Sequence, residues 1–319
     1  MNSLFRHSLP YLTPVPFFAL LIVLSFAKEK VHAQSITAIK SVDIVPYNKA
    51  INAFKSCVDA SVDEILIDYD EESGHNAAVL VSNENLHLIF TLGSDALTLV
   101  KDKLTHSTPV IFTFVLNPET IMENKKGEAD LNITGISMNI PPYEQFKTML
   151  QAAPKTKNIG TIYNSSKTGT LIKEAEKAAK KLGINLVSTE IRHKSEAINA
   201  ITDMKGKIDA FWMAPDTTAI THESTEYMLL FSLRNNIPLI GISGKYVKNG
   251  ALMAYTFDSE DVGRQAGEIA QQFLDGKPIK GFTTHNPRKL KLALNLKVAK
   301  KLGLKIPEDL IDRADKIYR

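Results

Sequence analysis

A cluster of small polar residues, Gly93, Ser94 and Asp95, follows an apolar run that ends at Leu92. The run has the continuous apolar character of a buried parallel strand, and an amphipathic helix pattern begins at the cluster. Unpaired backbone N–H groups at such a helix start accept an anion, and the Ser94 hydroxyl adds a donor. Capping of the helix by Ser94 or Asp95 is the alternative, and both roles are compatible.

A carboxylate stands in the matching position of a later segment. Asp216, followed by Thr217, comes directly after the apolar run 210–214. A carboxylate there pairs with a ligand ammonium, and together with an anion site at Ser94 it would suit an amino-acid-like zwitterion. Capping is again the alternative, so Asp216→Ala and Ser94→Ala should separate the two roles by their effects on binding and on stability.

Amide and hydroxyl side chains follow the other apolar runs. They are Asn117, Ser137, Asn139, Asn164 and Ser243. Such side chains donate and accept hydrogen bonds, although Asn and Ser also occupy turns for local reasons. Ligands of open parallel sheets bind beyond the carboxyl ends of the strands, so the convergence of these residues predicts a binding surface.

Aromatic residues lie near the same positions. They are Tyr47, Phe114, Tyr163, Tyr255 and Phe257. A ring at a strand end stacks on a flat ligand, although aromatic residues are more often core. Trp212 lies one step deeper in its run, which favours packing. The aromatic excess favours an apolar or aromatic solute.

Signatures of enzymes and metal sites are poor. His193, His222 and His285 are isolated among polar neighbours, and no zinc, nucleophile-elbow or phosphate-loop motif occurs. The acidic stretch 68–72 reads as a solvated turn rather than a cation site. We therefore expect no catalysis, no cofactor and no metal.

The elements that carry these residues alternate between strand and helix, which predicts an α/β fold of parallel sheets with right-handed crossovers. The first domain is predicted as strands 38–45, 64–69, 88–92, 110–115 and 133–137 with helices 49–60, 75–83 and 94–103. The second is predicted as strands 158–163, 185–190, 210–214 and 239–242 with helices 143–153, 167–182, 195–204 and 221–235. A strand 251–257, a helix 259–274 and a strand 291–296 follow.

The first 33 residues have the pattern of a secretory signal. Arg6 and His7 precede an apolar core at 17–26, and Ala33 offers a small residue at the cut. The core is about ten residues long, whereas a membrane span needs about 20. We expect cleavage after Ala33 and a periplasmic or otherwise extracytoplasmic protein; a retained N-terminal anchor is the alternative.

The length and charge of the chain limit the kinds of protein that it can be. The 319-residue chain without its leader is longer than one core usually supports, which predicts two domains. The 38 basic residues nearly balance the 35 acidic ones and are scattered along the chain, which argues against nucleic acid as a partner. Cys57 is the one cysteine, so an exported chain must be stabilised by its core alone.

The chain after the leader resembles the substrate-binding proteins of ABC importers that have the type I periplasmic-binding fold, especially the subfamily with tryptophan-binding components. The segments that carry the resemblance are Ile89–Leu97, Pro109–Pro118, Asn132–Met138, Asp209–Thr218 and Gly250–Ala266. The first loop, with Tyr47 and Asn48, is unlike the family's usual one, and both residues join the candidate ligand set.

The resemblance implies two Rossmann-like lobes joined by three crossings of the chain. One lobe would comprise 36–137 plus 254–282, and the other 138–253 plus 283–319. It also implies a receptor, expected to be monomeric, that closes on a small solute and delivers it to a membrane permease. Alternatives are a sensory receptor that signals to a membrane kinase and a periplasmic α/β enzyme.

Overall fold

The computed structural model describes residues 35–67, 81, 86–103, 108–122 and 132–319. The expected signal at 1–33, the acidic stretch 68–72 and nearly all of the predicted helix 75–83 lie outside these residues. Among the described residues no helix is both long and apolar enough to span a bilayer.

Two sheets organise the chain. Their strands are β1 (Ser35–Lys40), β2 (Ser61–Leu66), β3 (Leu88–Leu92), β4 (Val110–Val115), β5 (Asn132–Ser137), β6 (Asn158–Tyr163), β7 (Asn185–Glu190), β8 (Ala210–Trp212), β9 (Leu239–Gly241), β10 (Met253–Phe257), β11 (Gly281–His285), β12 (Leu290–Asn295) and β13 (Lys316–Tyr318). The first sheet has the order β11-β5-β4-β3-β1-β2 and is parallel throughout. The second has the order β13-β12-β10-β9-β8-β6-β7, and within it β10 and β12 pair antiparallel.

Helices connect the strands and cover the sheets. They are α1 (Val45–Lys55), α2 (Ser94–Lys103), α3 (Pro118–Met122), α4 (Pro142–Ala152), α5 (Ser165–Lys181), α6 (Ala197–Thr202), α7 (His222–Asn235), α8 (Gly244–Asn249), α9 (Ser259–Leu274), α10 (Leu296–Lys301) and α11 (Glu308–Asp312). The expected class, an α/β fold of two lobes with parallel sheets, is confirmed.

The chain crosses between the sheets three times, at 138–141, at 258 and at 286–289. Sheet membership differs from the predicted lobe boundaries in two places. Residues 254–257 lie in β10 of the second sheet, and residues 283–285 lie in β11 of the first. The lobe boundaries that the resemblance implies stay a prediction, because the sheet that a strand joins depends on residues distant in the sequence.

Several predicted bounds agree with the structure, namely those of β3, β4, β6, β7, α2 and α9. The first strand and the first helix both begin earlier than predicted. The helix begins at Val45 because Pro46 lies in its first turn, where proline favours a helix start. The predicted strand 210–214 ends at Trp212. The short elements α8, β11 and β13 were missed, since segments of three to six residues have too little periodicity to be recognised.

The core has an aromatic component in each lobe. Phe54 of α1 stacks on Phe90 of β3, with ring centroids 4.1 Å apart. Trp212 is buried and meets the ring of Phe146 edge-on at 5.3 Å, which confirms the packing role predicted for it. Cys57 lies just beyond α1, half-buried, where its Cβ approaches the backbone of Gly267.

Helices α1 and α9 pack unusually closely. An added Cβ at Gly263 would fall on the carbonyl oxygen of Ala50, and one at Gly267 would lie 2.7 Å from the Cβ of Cys57. Only glycine permits this approach, and α9 is the element that returns the chain to the first lobe after the second crossing.

Ion pairs link the second and third crossings to the neighbouring strand β12 and helix α9. The Lys291 ammonium lies 2.8 Å from Asp258 Oδ2, and this contact holds the pKa of the carboxyl below its usual value and that of the ammonium above its own. Arg288 binds both carboxylate oxygens of Glu268, at 2.7 and 3.1 Å. The same guanidinium lies 3.5 Å from the buried Asp261.

Two glycine substitutions test the close packing of α9 against α1. Gly263→Ala should lower the free energy of unfolding by about 2 kcal/mol or more, because the new methyl group displaces α1. Gly169→Ala in α5 is the matched control: its Cβ would meet only Ser165 at 3.8 Å, so it should raise stability by about 0.5–1 kcal/mol through helix propensity. Equal effects of the two substitutions in urea denaturation would contradict the packing described.

Acid titration tests the Asp258–Lys291 pair. A lowered carboxyl pKa gives stability that is present above the unfolded value, about 3.9, and lost as the pH falls through the folded value. Both side chains are partly exposed, so the pair should contribute about 0.2–1 kcal/mol. Lys291→Met should therefore destabilise the chain at pH 7 and lose its effect below about pH 4. An effect that is unchanged at pH 3 would refute the assignment.

Candidate functional site

A cavity of about 270 Å³ lies where the carboxyl ends of the strands meet the crossings. The first lobe contributes Leu116, directly after β4, and the first crossing contributes Met138 and Ile140. The second lobe and the β10 strand supply the rest of the wall: Gln145, Met213, Pro215, Ile242, Ser243, Tyr255, Thr256 and Phe257. Both lobes therefore share one hollow, at the low end of the size range for ligand pockets.

The wall is apolar and includes no charged side chain among the described residues. Its polar members are Gln145, Ser243 and Thr256, with the hydroxyl of Tyr255. Ser243 precedes α8 in an extended conformation without capping it, and its hydroxyl makes no hydrogen bond with the described residues. This leaves a polar group of the second lobe available to a ligand.

Gln145 links the cavity wall to the buried core by two hydrogen bonds. Its Nε2 donates to the carbonyl of Ile140 at 2.9 Å, and its Oε1 accepts from the indole N–H of Trp212 at 3.1 Å. The side chain is buried, so these bonds fix the first crossing against the second lobe. Thr148, one turn further along α4, is hydrogen-bonded to the Tyr255 hydroxyl at 2.9 Å and fixes that ring in the same way.

A row of aromatic rings continues from the cavity into the first lobe. Phe257 in the wall meets Phe114 edge-on at 5.6 Å, and Phe114 packs against Tyr47 at 4.8 Å. The Tyr47 hydroxyl lies over Gly93, where an added Cβ would be only 2.6 Å away. Three of the five predicted aromatic residues thus form this row, and Tyr255 lines the cavity beside them; Tyr163 does not line it.

The end of β4 is strained. Phe114 has φ 58° and Asn117 has φ 48°, and the pairing of β4 with β5 shifts register between Thr113 and Val115. A bulky residue in the left-handed region costs about 1–3 kcal/mol and persists only where its surroundings hold it. Leu116, which lies between these two residues, is part of the cavity wall.

Asn117, Ser137 and Asn139 form one hydrogen-bonded chain behind that wall. The Asn117 N–H donates to Asn139 Oδ1 at 3.2 Å, and the Asn139 N–H donates to Ser137 Oγ at 3.0 Å. Asn117 is buried, and its Oδ1 has no hydrogen-bond partner among the described residues. The structure thus brings these three predicted residues together beside the cavity rather than in its lining.

One backbone donor of the predicted anion site at α2 is used within the protein. The N–H of Ala96, in the first turn, donates to Ser41 Oγ at 2.9 Å. Asp95 is exposed in the same turn, where its charge complements the helix dipole, and Ser94 is partly buried. Neither Ser94 nor Asp95 lines the cavity.

Asn48 belongs to a charged network at the end of β1. Its Oδ1 accepts from the Lys40 ammonium at 3.1 Å, and its amide donates to Asp43 at 2.7 Å. Lys40 also pairs with Glu64 at 3.1 Å, and the pKa of Glu64 is lowered by Lys55 and Lys40 against the opposing effect of burial. These bonds tie Asn48 of α1 to the end of β1, and its role in ligand binding stays a prediction.

Asp216 is buried and accepts four hydrogen bonds. Its Oδ2 accepts from the Asn164 N–H at 2.7 Å and the Thr168 hydroxyl at 2.6 Å, and its Oδ1 accepts from the N–H groups of Thr218 and Ala219. A carboxylate has about four acceptor positions, so none is left for a ligand ammonium. This geometry favours the capping interpretation.

Asn164 and Thr217 also lie outside the cavity lining. Asn164 caps α5, with its Oδ1 accepting from the Ser166 N–H at 2.9 Å, and Thr217 is exposed. Ser243 is therefore the one polar candidate that the described wall contains, beside the predicted aromatic residues Tyr255 and Phe257. Sequence reasoning missed Met138, Ile140, Met213 and Ile242, whose signal is an apolar residue one to three positions beyond a strand end.

Among the described residues no group of three or more His, Cys, Asp or Glu side chains is placed to hold a metal ion. What the site offers chemically is an apolar enclosure with hydroxyl groups, which suits binding.

A curated relative and solved structures are similar to the chain. A protein called "Tyrosine-binding protein" from Clostridioides difficile (strain R20291) is 30% identical over 178 residues, which are 55% of this chain and 51% of that protein. The match thus spans about half the length of this relative.

Solved structures share the fold. An ABC domain in complex with L-Trp from Streptococcus pneumoniae has a TM-score of 0.63 at 21% identity, covering 89% of this chain and 99% of that one. A ligand-free, open substrate-binding protein with adhesive properties from Clostridium difficile has a TM-score of 0.70 at 19% identity, covering 90% and 99%.

The family model described as "ABC transporter substrate binding protein" matches residues 50–318. This match includes strands β2 to β13 and the whole cavity wall, and it agrees with the resemblance in the sequence. The chain belongs to the ABC transporter substrate-binding protein family.

Proposed function

We propose that the chain is the extracytoplasmic receptor of an ABC import system, binding a small solute with an aromatic or apolar body and delivering it to a membrane permease. The observation that carries this proposal is a cavity whose wall comes from both lobes and from the first crossing. A ligand held there touches both lobes, and only such a ligand shifts the balance between open and closed forms.

The three crossings are the natural hinge for this closure. Residues 138–141, 258 and 286–289 connect the lobes. The first of these segments contains the cavity-wall residue Ile140, and the second directly follows the cavity-wall residue Phe257. Ligand contact and hinge position are therefore coupled through adjacent backbone. In this proposal no bond of the solute is broken, and the permease recognises the closed form.

The solute class is supported by the wall and by the relatives. Tyr255 and Phe257 present rings beside aliphatic side chains, and the curated relative is named for tyrosine. Ser243 is the sequence candidate that we place in contact with the solute. Tyr47, Asn117, Ser137 and Asn139 support the wall, and Ser94, Asp95, Asn48, Asn164, Asp216 and Thr217 stabilise the lobes or face solvent. Action as a monomer stays a prediction.

Thermal-shift screening of the purified chain against small aromatic compounds tests the proposal. A solute at about one hundred times its dissociation constant should raise the melting temperature by about 5 °C, because it binds the folded state alone. Ser243→Trp fills the cavity without removing a helix cap and should abolish the shift. Lys248→Trp, on an exposed position of α8, should retain it. A shift that survives Ser243→Trp would place the solute elsewhere.

Asp216 should be a stability residue. Asp216→Asn replaces an acceptor by a donor that faces two of the four existing donors, so we expect a loss of about 2–4 kcal/mol in the free energy of unfolding. Thr217→Ala, the exposed neighbour, should change stability by less than about 0.5 kcal/mol. If Asp216→Asn leaves urea denaturation unchanged but weakens solute binding, the carboxylate is a ligand group after all.

A further inference from the structure

We propose that the second lobe binds the surface of an anionic phospholipid bilayer through a basic face formed by α5 and α10. The six lysines of this basic face are Lys173, Lys177, Lys180, Lys297, Lys300 and Lys301. The inference goes beyond solute binding, and it does not depend on the cavity.

The charges of the chain are divided unequally between the lobes. Without the three crossings, the segments of the first lobe, 34–137 and 259–285, contain 19 acidic and 10 basic residues. Those of the second lobe, 142–257 and 290–319, contain 23 basic and 14 acidic residues. The whole sequence is nearly balanced because an acidic lobe and a basic lobe offset each other, and such an asymmetry indicates an anionic partner for the basic lobe.

The lysines of the basic face point away from one side of the second sheet. Helix α5 buries Ala175, Ala178 and Ala179 in the same core cluster into which α10 buries Val298 and Ala299. All six lysines are exposed, and each lies three or four positions from another of the set, which puts them on the outer side of their helices. The sheet beneath has seven strands and is therefore about 30 Å wide. The face is thus broad and lies on one side of the lobe.

Neighbouring carboxylates do not neutralise this face. None of its six lysines forms an ion pair with the described residues, whereas Lys40, Lys49 and Lys55 of the first lobe are each paired with a carboxylate. The acidic residues of α5 are Glu174 and Glu176, and α10 has none. The face therefore keeps a positive charge that attracts an anionic partner.

The composition of the face favours lipid headgroups over protein or nucleic acid. The exposed large apolar side chains among the described residues are Ile44, Val45, Leu116 and Leu230. None of them belongs to α5 or α10, whereas a protein interface usually has an apolar centre. Nucleic-acid recognition commonly uses arginine and stacked aromatic rings, but the face consists of lysines. Lysine ammonium groups spread over a broad surface suit a layer of anionic headgroups.

Sedimentation of the purified full chain with lipid vesicles tests the inference. Vesicles of phosphatidylcholine alone are compared with vesicles of phosphatidylcholine and phosphatidylglycerol in equal parts. At low salt we expect at least about tenfold tighter binding to the anionic vesicles, because each lysine near such a surface contributes roughly fivefold in affinity. Added salt should weaken this preference. Equal binding to the two kinds of vesicle would overturn the inference and leave the receptor proposal standing, since the cavity takes no part in this contact.

A triple variant of α10 locates the contact. Lys297→Gln/Lys300→Gln/Lys301→Gln removes half of the basic face and should reduce the preference for anionic vesicles by at least about fivefold. Glutamine is a good helix former and the buried side of α10 is unchanged, so the variant should fold. A preference that is unchanged in this variant would overturn the assignment of the basic face.

The matched control removes the same charge from the opposite side of the second sheet. Lys205→Gln/Lys207→Gln/Lys248→Gln changes exposed lysines that follow α6 or lie in α8, and both helices pack on the other core cluster of this lobe. The control should keep the preference for anionic vesicles within about twofold. An equal loss in the two variants would show that net charge alone attracts the vesicles, and it would refute a defined face.

Sedimentation velocity without vesicles tests the competing partner, which is the acidic first lobe of a second copy. We expect a single monomeric species at low and at high salt. Self-association at low salt that the α10 variant abolishes, together with vesicle binding that this variant leaves unchanged, would assign the basic face to a second copy and contradict the lipid assignment.

Discussion

The close packing of α9 on α1 is the constraint on which the site depends. Phe257 ends β10 in the second sheet, and Asp258 at once begins the return to the first lobe by capping α9. No loop intervenes, so the contact of Gly263 with the backbone of Ala50 sets where the cavity wall stands relative to the first lobe. The ion pairs of Asp258, Glu268 and Arg288 hold the neighbouring crossing in register with it.

The chemistry of the cavity follows from how the polar side chains at the strand ends are used. Asp216, Asn164 and Ser41 satisfy backbone groups within their own lobe. What remains to face the neighbouring lobe is apolar, because Met138, Ile140 and Ile242 lie just past the ends of buried strands. The site is therefore an apolar enclosure with a few hydroxyl groups, and Leu116 reaches its wall between Phe114 and Asn117, which both have positive φ.

The sequence predicted the fold and the edge of the sheet at which the cavity lies, but it predicted few of the side chains that line the cavity. Buried strands such as β3 and β4 have unmistakable apolar runs, so their bounds were predicted correctly. Asp216 was predicted as a ligand group or a cap, because a polar residue after a strand looks alike in the sequence whether it caps a helix or binds a solute. Met213 and Ile242 were overlooked because an apolar residue beside a strand resembles core, and only the three-dimensional arrangement shows that they face a cavity.

A crystal structure grown with the solute that gives the largest thermal shift would test the central claim, that one cavity shared by both lobes holds the ligand. The account predicts electron density for a single molecule in contact with Ile242 of the second lobe, Leu116 of the first and the ring of Phe257. Density confined to the surface of one lobe, with the shared cavity empty, would contradict it.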